Sequence, residues 1–178
     1  MLRTRIRRSI LRGMRGWERA LSEDTIERRG TREDKLSPWA DQRHYFSYGS
    51  LVDRCTMASI CPDAVPISRA CLDGYRRKYR GNLTLIEARD GRVFGALYRI
   101  SPGDEQTLDR AEGFPTGCRK KNVAVHTPEG DLVSAFIYLL DDGPEIPPGG
   151  DYLRKCLRGA REWGLEDREF LDPLPADG

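Results

Sequence analysis

Short runs of apolar and aromatic residues recur along this 178-residue chain, and turn-forming Gly, Pro, Asp or Asn residues separate them. Runs of this length and composition are typical of β-strands. We predict six strands, at residues 44–48, 66–72, 83–88, 92–100, 121–127 and 132–140. Between the third and fourth strands, Arg89-Asp90-Gly91 predicts a hairpin turn, because Asp-Gly favours the backbone conformation that tight hairpins need.

Two further segments have the pattern of helices. Ser101 followed by Pro102 fits a helix N-cap and first position, and the helix-forming residues after them predict about two turns ending at Glu112. Residues 152–163 carry apolar side chains on one face at helical spacing, and Gly164 is a common C-terminal stop. Strands and helices do not alternate regularly. This order favours an α+β fold with a largely antiparallel, barrel-like β-sheet and flanking helices.

The first 40 residues differ in charge from the rest of the chain. Residues 1–40 contain 11 Lys and Arg against 6 Asp and Glu, a net charge of +5, whereas residues 41–178 carry a net charge of −3. We therefore divide the chain into a basic, partly helical N-terminal extension at residues 1–40 and a folded domain at residues 41–178. Apolar residues at steps of three or four predict one face of a helix, at Leu2, Ile6, Ile10, Met14, Trp17 and Leu21.

A basic amphipathic helix at residues 1–21 is compatible with several partners. It can dock on its own domain or on a second copy, contact another protein, or lie on an anionic membrane surface. Docking on the protein itself is the favoured alternative, because soluble domains commonly use such stripes for packing. Nucleic acid is not expected, since no basic patch with interleaved aromatics continues into the acidic domain. The sequence leaves the oligomeric state open.

Composition argues against several classes of protein. No apolar run approaches the roughly 20 residues that span a bilayer, and the arginine-rich N-terminus does not have the pattern of a secretory signal. The five cysteines include no C-x-x-C pair, and the chain has only two histidines. These counts argue against a disulfide framework and a metal centre. We expect reduced thiols, no metal site and a cytoplasmic location.

Few residues are candidates for catalysis by type and spacing alone. Phosphate-binding glycine loops and the usual hydrolase motifs are absent from the sequence. Ser50 and His44 are not expected to form a nucleophile and base, because an extended strand separates them by roughly 20 Å. Glu112 ends a predicted helix in an apolar setting, where burial raises the pKa of a carboxylate and suits it to proton transfer near neutral pH. A glutamate at a helix end is nevertheless more often a solvated surface residue.

Six short segments occur in an order and spacing that resembles the gamma-glutamylcyclotransferase family. The resemblance covers roughly residues 43–172 and excludes the basic extension. The segments are Tyr45-Phe46-Ser47-Tyr48-Gly49-Ser50-Leu51, Val93-Phe94-Gly95, Leu108-Asp109-Arg110-Ala111-Glu112-Gly113, Phe136-Ile137-Tyr138, Pro147-Pro148-Gly149-Gly150-Asp151-Tyr152 and Gly159-Ala160-Arg161-Glu162-Trp163-Gly164-Leu165. Each segment is a weak signal alone, and the six in this order are a strong one.

The resemblance implies a mixed β-barrel with flanking helices, and an enzyme that releases 5-oxoproline from a small gamma-glutamyl compound without a cofactor. Glu112 matches the catalytic acid and base of the family. Substrate-binding positions of the family match Tyr45, Phe46, Ser47, Tyr48, Gly49, Ser50, Leu51 and Tyr152. A catalytically silent gamma-glutamyl or amino-acid binding module is the alternative. Many members have Asn after the Y-G-S triplet, where this chain has Leu51, and the identity of the released amine stays open.

Deleting residues 1–36 is expected to leave catalysis intact, because the residues that match the family's site all lie beyond this segment. The measurement compares 5-oxoproline release by the full-length and shortened proteins, with circular dichroism as the folding control. Loss of activity with normal folding would show that the extension helps to build the site. Co-sedimentation of both proteins with anionic liposomes separates membrane attachment from docking on the protein itself.

Overall fold

The computed structural model describes residues 43–171, in which five strands close into a barrel. The elements are β1 (Arg43–Ser47), a 3-10 turn (Ser50–Val52), α1 (Arg54–Ile60), β2 (Val65–Arg80), β3 (Asn82–Ile100), α2 (Pro102–Glu112), β4 (Cys118–His126), β5 (Leu132–Leu140), α3 (Gly150–Glu162) and α4 (Arg168–Leu171). None of the described helices has the length and apolar character needed to cross a bilayer. The helix predicted at residues 1–21 lies outside the described residues, and both it and the division at residue 40 stay predictions.

The barrel has the strand order β1-β3-β2-β4-β5. Neighbouring strands pair antiparallel, except that β1 and β5 run parallel where Tyr45 faces Phe136. That parallel contact closes the sheet and leaves no open edge between the first and last strands. The α+β class and the mixed, largely antiparallel, barrel-like sheet with flanking helices are therefore confirmed.

The hairpin predicted at Arg89-Asp90-Gly91 is wrong. β3 runs through this segment as one strand, and β2 pairs with it on both sides, through Asp73 on one side and Tyr75 on the other. The segment is an irregularity in the ladder, and the hairpin turn lies at Gly81, where φ is +75°. The local Asp-Gly signal was overridden because β2 continues to Arg80 and offers backbone partners to both halves of β3. The six predicted strands are therefore five.

The helix predicted after Ser101 is confirmed, with its end at Glu112, although its 11 residues make about three turns instead of two. The Ser101 hydroxyl accepts a hydrogen bond from the Asp104 N–H at 3.1 Å, and the Asp104 carboxylate accepts one from the Ser101 N–H at 3.3 Å. This capping box fixes the start of α2, with Pro102 in the first turn. Gly113 has φ of +76° and ends the helix. Both ends are fixed by local chemistry, and they make Glu112 the last helical residue.

Helix α3 packs directly on the backbone of the turn that follows β1. A Cβ at Gly159 would lie 2.3 Å from the Asp53 nitrogen, so only glycine permits this approach. The Val52 carbonyl in the same turn accepts hydrogen bonds from the Trp163 indole at 2.8 Å and the Tyr98 hydroxyl at 3.3 Å. Two distant side chains thus satisfy one buried carbonyl, and they fix the turn against both the barrel and α3.

Helices α1 and α4 were not predicted from the sequence. α1 begins after Asp53, whose carboxylate accepts a hydrogen bond from the Thr56 N–H at 2.7 Å. α4 is a single turn that buries Phe170, and the Phe170 carbonyl accepts a hydrogen bond from the Tyr79 hydroxyl at 2.8 Å. Helices this short have little periodicity, and tertiary contacts supply most of their stability.

Substituting Gly159→Ala is expected to destabilise the protein by about 1–3 kcal/mol, because the new methyl group overlaps the Val52–Asp53 backbone. Urea denaturation measures the change in the free energy of unfolding. Gly103→Ala in α2 is the matched control, since a Cβ there has only the Ser101 hydroxyl at 3.7 Å. It is expected to be neutral or to stabilise by up to about 1 kcal/mol through helix propensity. Equal effects of the two substitutions would contradict the close approach.

Candidate active site

A cavity of about 210 Å³ opens beside the turn that follows β1. Residues of β1, the 3-10 turn, α1, β3, α2, β5 and α3 line it, so it forms only when the barrel and its helices come together. The volume is below the roughly 300–1,000 Å³ of pockets that take drug-sized ligands. The cavity therefore encloses a small chemical group.

Eight of the nine site residues named from the sequence line this cavity: Tyr45, Ser47, Tyr48, Gly49, Ser50, Leu51, Glu112 and Tyr152. Phe46 does not line it. Its side chain is fully buried, and its ring lies so close to Gly95 that a Cβ there would be 2.8 Å from the ring. Successive residues of a strand point to opposite faces, which separates Phe46 from its two neighbours.

Eight further residues line the cavity and were not named as site residues: Thr56, Ile60, Asn82, Leu83, Ala111, Tyr138, Leu140 and Lys155. Three of them had a usable signal. Ala111 and Tyr138 each belong to one of the six family-like segments, and Lys155 follows Tyr152 by three residues, which places Lys155 and Tyr152 on one side of α3. Asn82 had none, because only the pairing of β2 with β3 brings it to the cavity.

Glu112 is the carboxylate of this site. It is half-buried at the end of α2 and, among residues 43–171, makes no hydrogen bond or ion pair. Burial raises the pKa of Glu112 from its ordinary value of 4.5 to about 6. A carboxylate with that pKa is mostly ionised at neutral pH and still exchanges protons readily there.

Two tyrosines near Glu112 keep their protons. Burial, followed by the charge of Glu112, raises the pKa of Tyr45 and of Tyr48 well above the ordinary tyrosine value. The Tyr48 hydroxyl donates a hydrogen bond to the Tyr138 carbonyl. Both hydroxyls are thus neutral beside Glu112, the one carboxylate among the described lining residues.

The Tyr138 side chain is held from α2. Its hydroxyl donates to the Asp109 carboxylate at 2.6 Å, and the Lys120 ammonium pairs with the same carboxylate at 2.6 Å. Although burial opposes it, the hydrogen bonds from Lys120 and Tyr138 lower the pKa of Asp109, which therefore stays ionised as the acceptor. Asp109 lies one turn before Glu112, so a single helix both orients Tyr138 and presents the carboxylate.

The turn at residues 48–51 is fixed closely against its neighbours. The buried Arg77 guanidinium donates to the Tyr48 carbonyl at 3.2 Å and to the Phe94 carbonyl, and it pairs with Glu169 at 3.1 Å. A Cβ at Gly49 would lie 2.6 Å from the Tyr152 hydroxyl, so a side chain there would displace this hydroxyl. The Tyr152 hydroxyl itself is held by the Leu83 N–H at 3.0 Å.

Polar groups of this turn remain available to a ligand. Its backbone hydrogen bonds run from the Val52 and Asp53 N–H groups, to the Gly49 and Ser50 carbonyls at 3.1 and 3.2 Å. The N–H groups of Ser50 and Leu51, the first two residues of the 3-10 turn, take no part in these bonds. The Ser47 hydroxyl is fully buried near Tyr45 and makes no well-formed hydrogen bond in the described part of the chain. Buried polar groups are normally paired, so these positions suit a polar ligand.

The described residues contain no group of three or more His, Cys, Asp or Glu side chains with the arrangement of a metal site. All five cysteines are free thiols. Burial raises the pKa of Cys118, next to the cavity, to about 11, so this thiol is protonated at neutral pH. The ionisable group that the cavity offers for proton transfer near neutral pH is therefore Glu112.

The described residues form a five-stranded mixed barrel with flanking helices, and the barrel has a small tyrosine-lined cavity with a half-buried glutamate in its wall. Residues 45–154 match the family model "Gamma-glutamyl cyclotransferase, AIG2-like". The chain belongs to this gamma-glutamyl cyclotransferase family.

Individual relatives agree with the family. The chain is 27% identical to a gamma-glutamylcyclotransferase of Bos taurus over 148 residues, which cover 75% of this chain and 78% of the relative. It is 25% identical to a gamma-glutamylcyclotransferase of Homo sapiens, with 81% of this chain and 83% of the relative covered. A solved structure of a gamma-glutamyl cyclotransferase superposes with a TM-score of 0.71 at 21% identity, covering 78% of this chain and 91% of the other. That structure supports the fold.

Replacing the carboxylate by an amide, Glu112→Gln, is expected to stabilise the protein at pH 8. The pKa of Glu112 is raised in the folded protein, so ionisation of this carboxylate lowers the free energy of unfolding. The loss is complete above about pH 6 and absent below about pH 4.5. The substitution should raise the free energy of unfolding by up to about 2 kcal/mol at pH 8 and change it little at pH 4.

Urea denaturation at both pH values measures this difference. The matched control is Glu129→Gln in the exposed turn between β4 and β5, where a change within about 0.5 kcal/mol is expected at either pH. Equal stability of Glu112→Gln and the unmodified protein at pH 8 would contradict the buried environment of this carboxylate.

Proposed function

We propose that this protein is a gamma-glutamylcyclotransferase that releases 5-oxoproline and a free amine or amino acid from a gamma-glutamyl compound. The observation that carries the proposal is Glu112, a half-buried carboxylate without a partner among the described residues, at the wall of a small cavity. Membership of the family supports the reaction class.

The reaction is an internal displacement within the substrate. The α-amine of the gamma-glutamyl group attacks the γ-carbonyl carbon, a carbon–nitrogen bond closes a five-membered ring, and the amide bond to the leaving nitrogen breaks. Glu112 accepts the proton that the α-amine loses and returns it to the leaving nitrogen, so no proton is gained or lost overall. A pKa of about 6 suits both steps near neutral pH.

The main task of the cavity is to fold the substrate. Nucleophile and electrophile belong to one molecule, so the rate depends on holding the α-amine close to the γ-carbonyl. The buried Tyr45, Tyr48 and Tyr138 side chains wall the cavity and exclude water. Closely packed aromatic rings keep this wall rigid, with the Tyr45 and Tyr138 ring centres 5.9 Å apart.

Backbone and hydroxyl donors bind the polar groups of the substrate in this proposal. The N–H groups of Ser50 and Leu51 bind either the substrate's α-carboxylate or the oxyanion that develops on the γ-carbonyl. The Ser47 and Tyr152 hydroxyls complete the set of donors, whereas the Tyr48 hydroxyl, whose proton goes to the Tyr138 carbonyl, offers its oxygen as an acceptor. Gly49 allows the backbone to approach the ligand closely.

A catalytically silent module that binds gamma-glutamyl compounds or amino acids is the alternative. It would use the same cavity and the same donors. It has no need, however, of a buried, unpaired carboxylate whose ionisation lowers stability. Turnover therefore separates the two functions.

Glu112→Gln is expected to lower kcat for 5-oxoproline release by about 10²–10⁴-fold, because the proton acceptor is lost. The assay follows 5-oxoproline from a panel of gamma-glutamyl amino acids, gamma-glutamyl amines and glutathione. Circular dichroism checks the fold, and Glu129→Gln on the surface serves as the control with unchanged turnover. Near-normal turnover by folded Glu112→Gln would refute the mechanism. Binding of the panel without turnover by the unmodified protein would favour the silent module.

A further inference from the structure

Lys155 is a cation at the mouth of the cavity. It lies on α3 one helical turn after Tyr152 and is exposed. Among the described residues that line the cavity, Lys155 is the only cation and Glu112 is the only carboxylate. If a substrate has a second negative charge besides the α-carboxylate of its gamma-glutamyl group, Lys155 is the lining residue that can pair with it.

The Lys155 ammonium is not used inside the protein. Within residues 43–171 it makes no ion pair and no side-chain hydrogen bond. The arginines of the same helix are paired: Arg154 with Asp151, Arg158 with Asp53, and Arg161 with Asp167. Lys155 thus differs from its neighbours on α3 both in facing the cavity and in keeping its three donors unoccupied.

The exposed residues of the lining show which part of a substrate meets Lys155. The closed end of the cavity is the part lined by buried residues such as Tyr45, Ser47 and Tyr48. The mouth is the part lined by the exposed residues Asn82, Ala111 and Lys155. The gamma-glutamyl group must fold into a ring and be shielded from water, so it occupies the closed end. The leaving group does not take part in ring closure, and it extends through the mouth past Lys155.

We infer that Lys155 binds a carboxylate on the leaving group, so that the enzyme selects gamma-glutamyl amino acids or peptides over gamma-glutamyl amines that lack this carboxylate. The inference rests on the proposed function for the identity of the leaving group. A γ-linked amino acid carries its carboxylate a few bonds from the amide that breaks, within reach of the flexible lysine side chain. Because the pair is exposed, its effect is modest and weakens with salt.

The test compares two substrates that differ only in this charge, gamma-glutamyl-L-alanine and gamma-glutamyl-L-alaninamide. The unmodified protein is expected to prefer the alanine compound by roughly three- to fivefold in kcat/KM at low ionic strength. Lys155→Gln should bring the ratio close to one, mainly by raising KM for the alanine compound. The preference of the unmodified protein should also shrink in about 0.5 M salt.

Arg154→Gln is the matched control. It removes the same charge from the adjacent position of α3, from a side chain that does not line the cavity. It should keep the preference, which separates a local contact from a general effect of net charge. The inference would be overturned if Lys155→Gln left the ratio of the two kcat/KM values unchanged, either because neither value changed or because both fell equally. Equal losses would place Lys155 against the gamma-glutamyl group instead.

A binding measurement separates failure of this inference from failure of the proposed function. Calorimetry with Glu112→Gln gives the affinities of both compounds without turnover, with and without Lys155→Gln in the same chain. If the unmodified protein releases no 5-oxoproline but a Lys155-dependent preference in binding persists, the proposed reaction fails and the carboxylate contact stands. If binding shows no such preference, the contact fails whatever the turnover.

Discussion

The turn between β1 and α1 is the point at which the barrel, its helices and the cavity are joined. Its backbone is held by side chains from distant segments, with Arg77 on the Tyr48 carbonyl, and Tyr98 and Trp163 on the Val52 carbonyl. Gly159 lets α3 rest directly on the same turn. Buried backbone carbonyls need such partners, so these distant segments together fix the position of the turn that lines the cavity.

The candidate site keeps an unfavourable group in place. Glu112 is desolvated, and it lies in the last turn of α2, where the helix dipole also disfavours a negative charge. The same helix is firmly fixed by its capping box and by the contact of Asp109 with Tyr138 and Lys120. A firmly held helix thus carries a carboxylate that has no partner among the described residues, which is the arrangement expected where a site trades stability for chemistry.

Elements with strong local signals were predictable. Ser101 and Gly113 fix both ends of α2 by hydrogen bonds within a few residues, and the order of strands and helices indicated the fold class. The hairpin at Asp90-Gly91 failed because strand pairing is a long-range choice. The length of β2, which no local pattern shows, decided that the hairpin turn lies at Gly81 and not at Asp90-Gly91. The one-turn helix around Phe170 was not predicted for the same reason, since only burial against the barrel stabilises it.

For the candidate site, the sequence by itself determined the chemical groups: the tyrosine- and glycine-rich segment after β1, and Glu112 at the end of a capped helix. The tertiary structure decided which of these groups share a cavity, because strand alternation turns Phe46 away while Tyr45 and Ser47 face inward. It also decided the pKa of Glu112, which depends on burial by segments distant in the chain. The position of Lys155 at the mouth required α3 to pack on the barrel, and contacts of that kind are not encoded in any one segment.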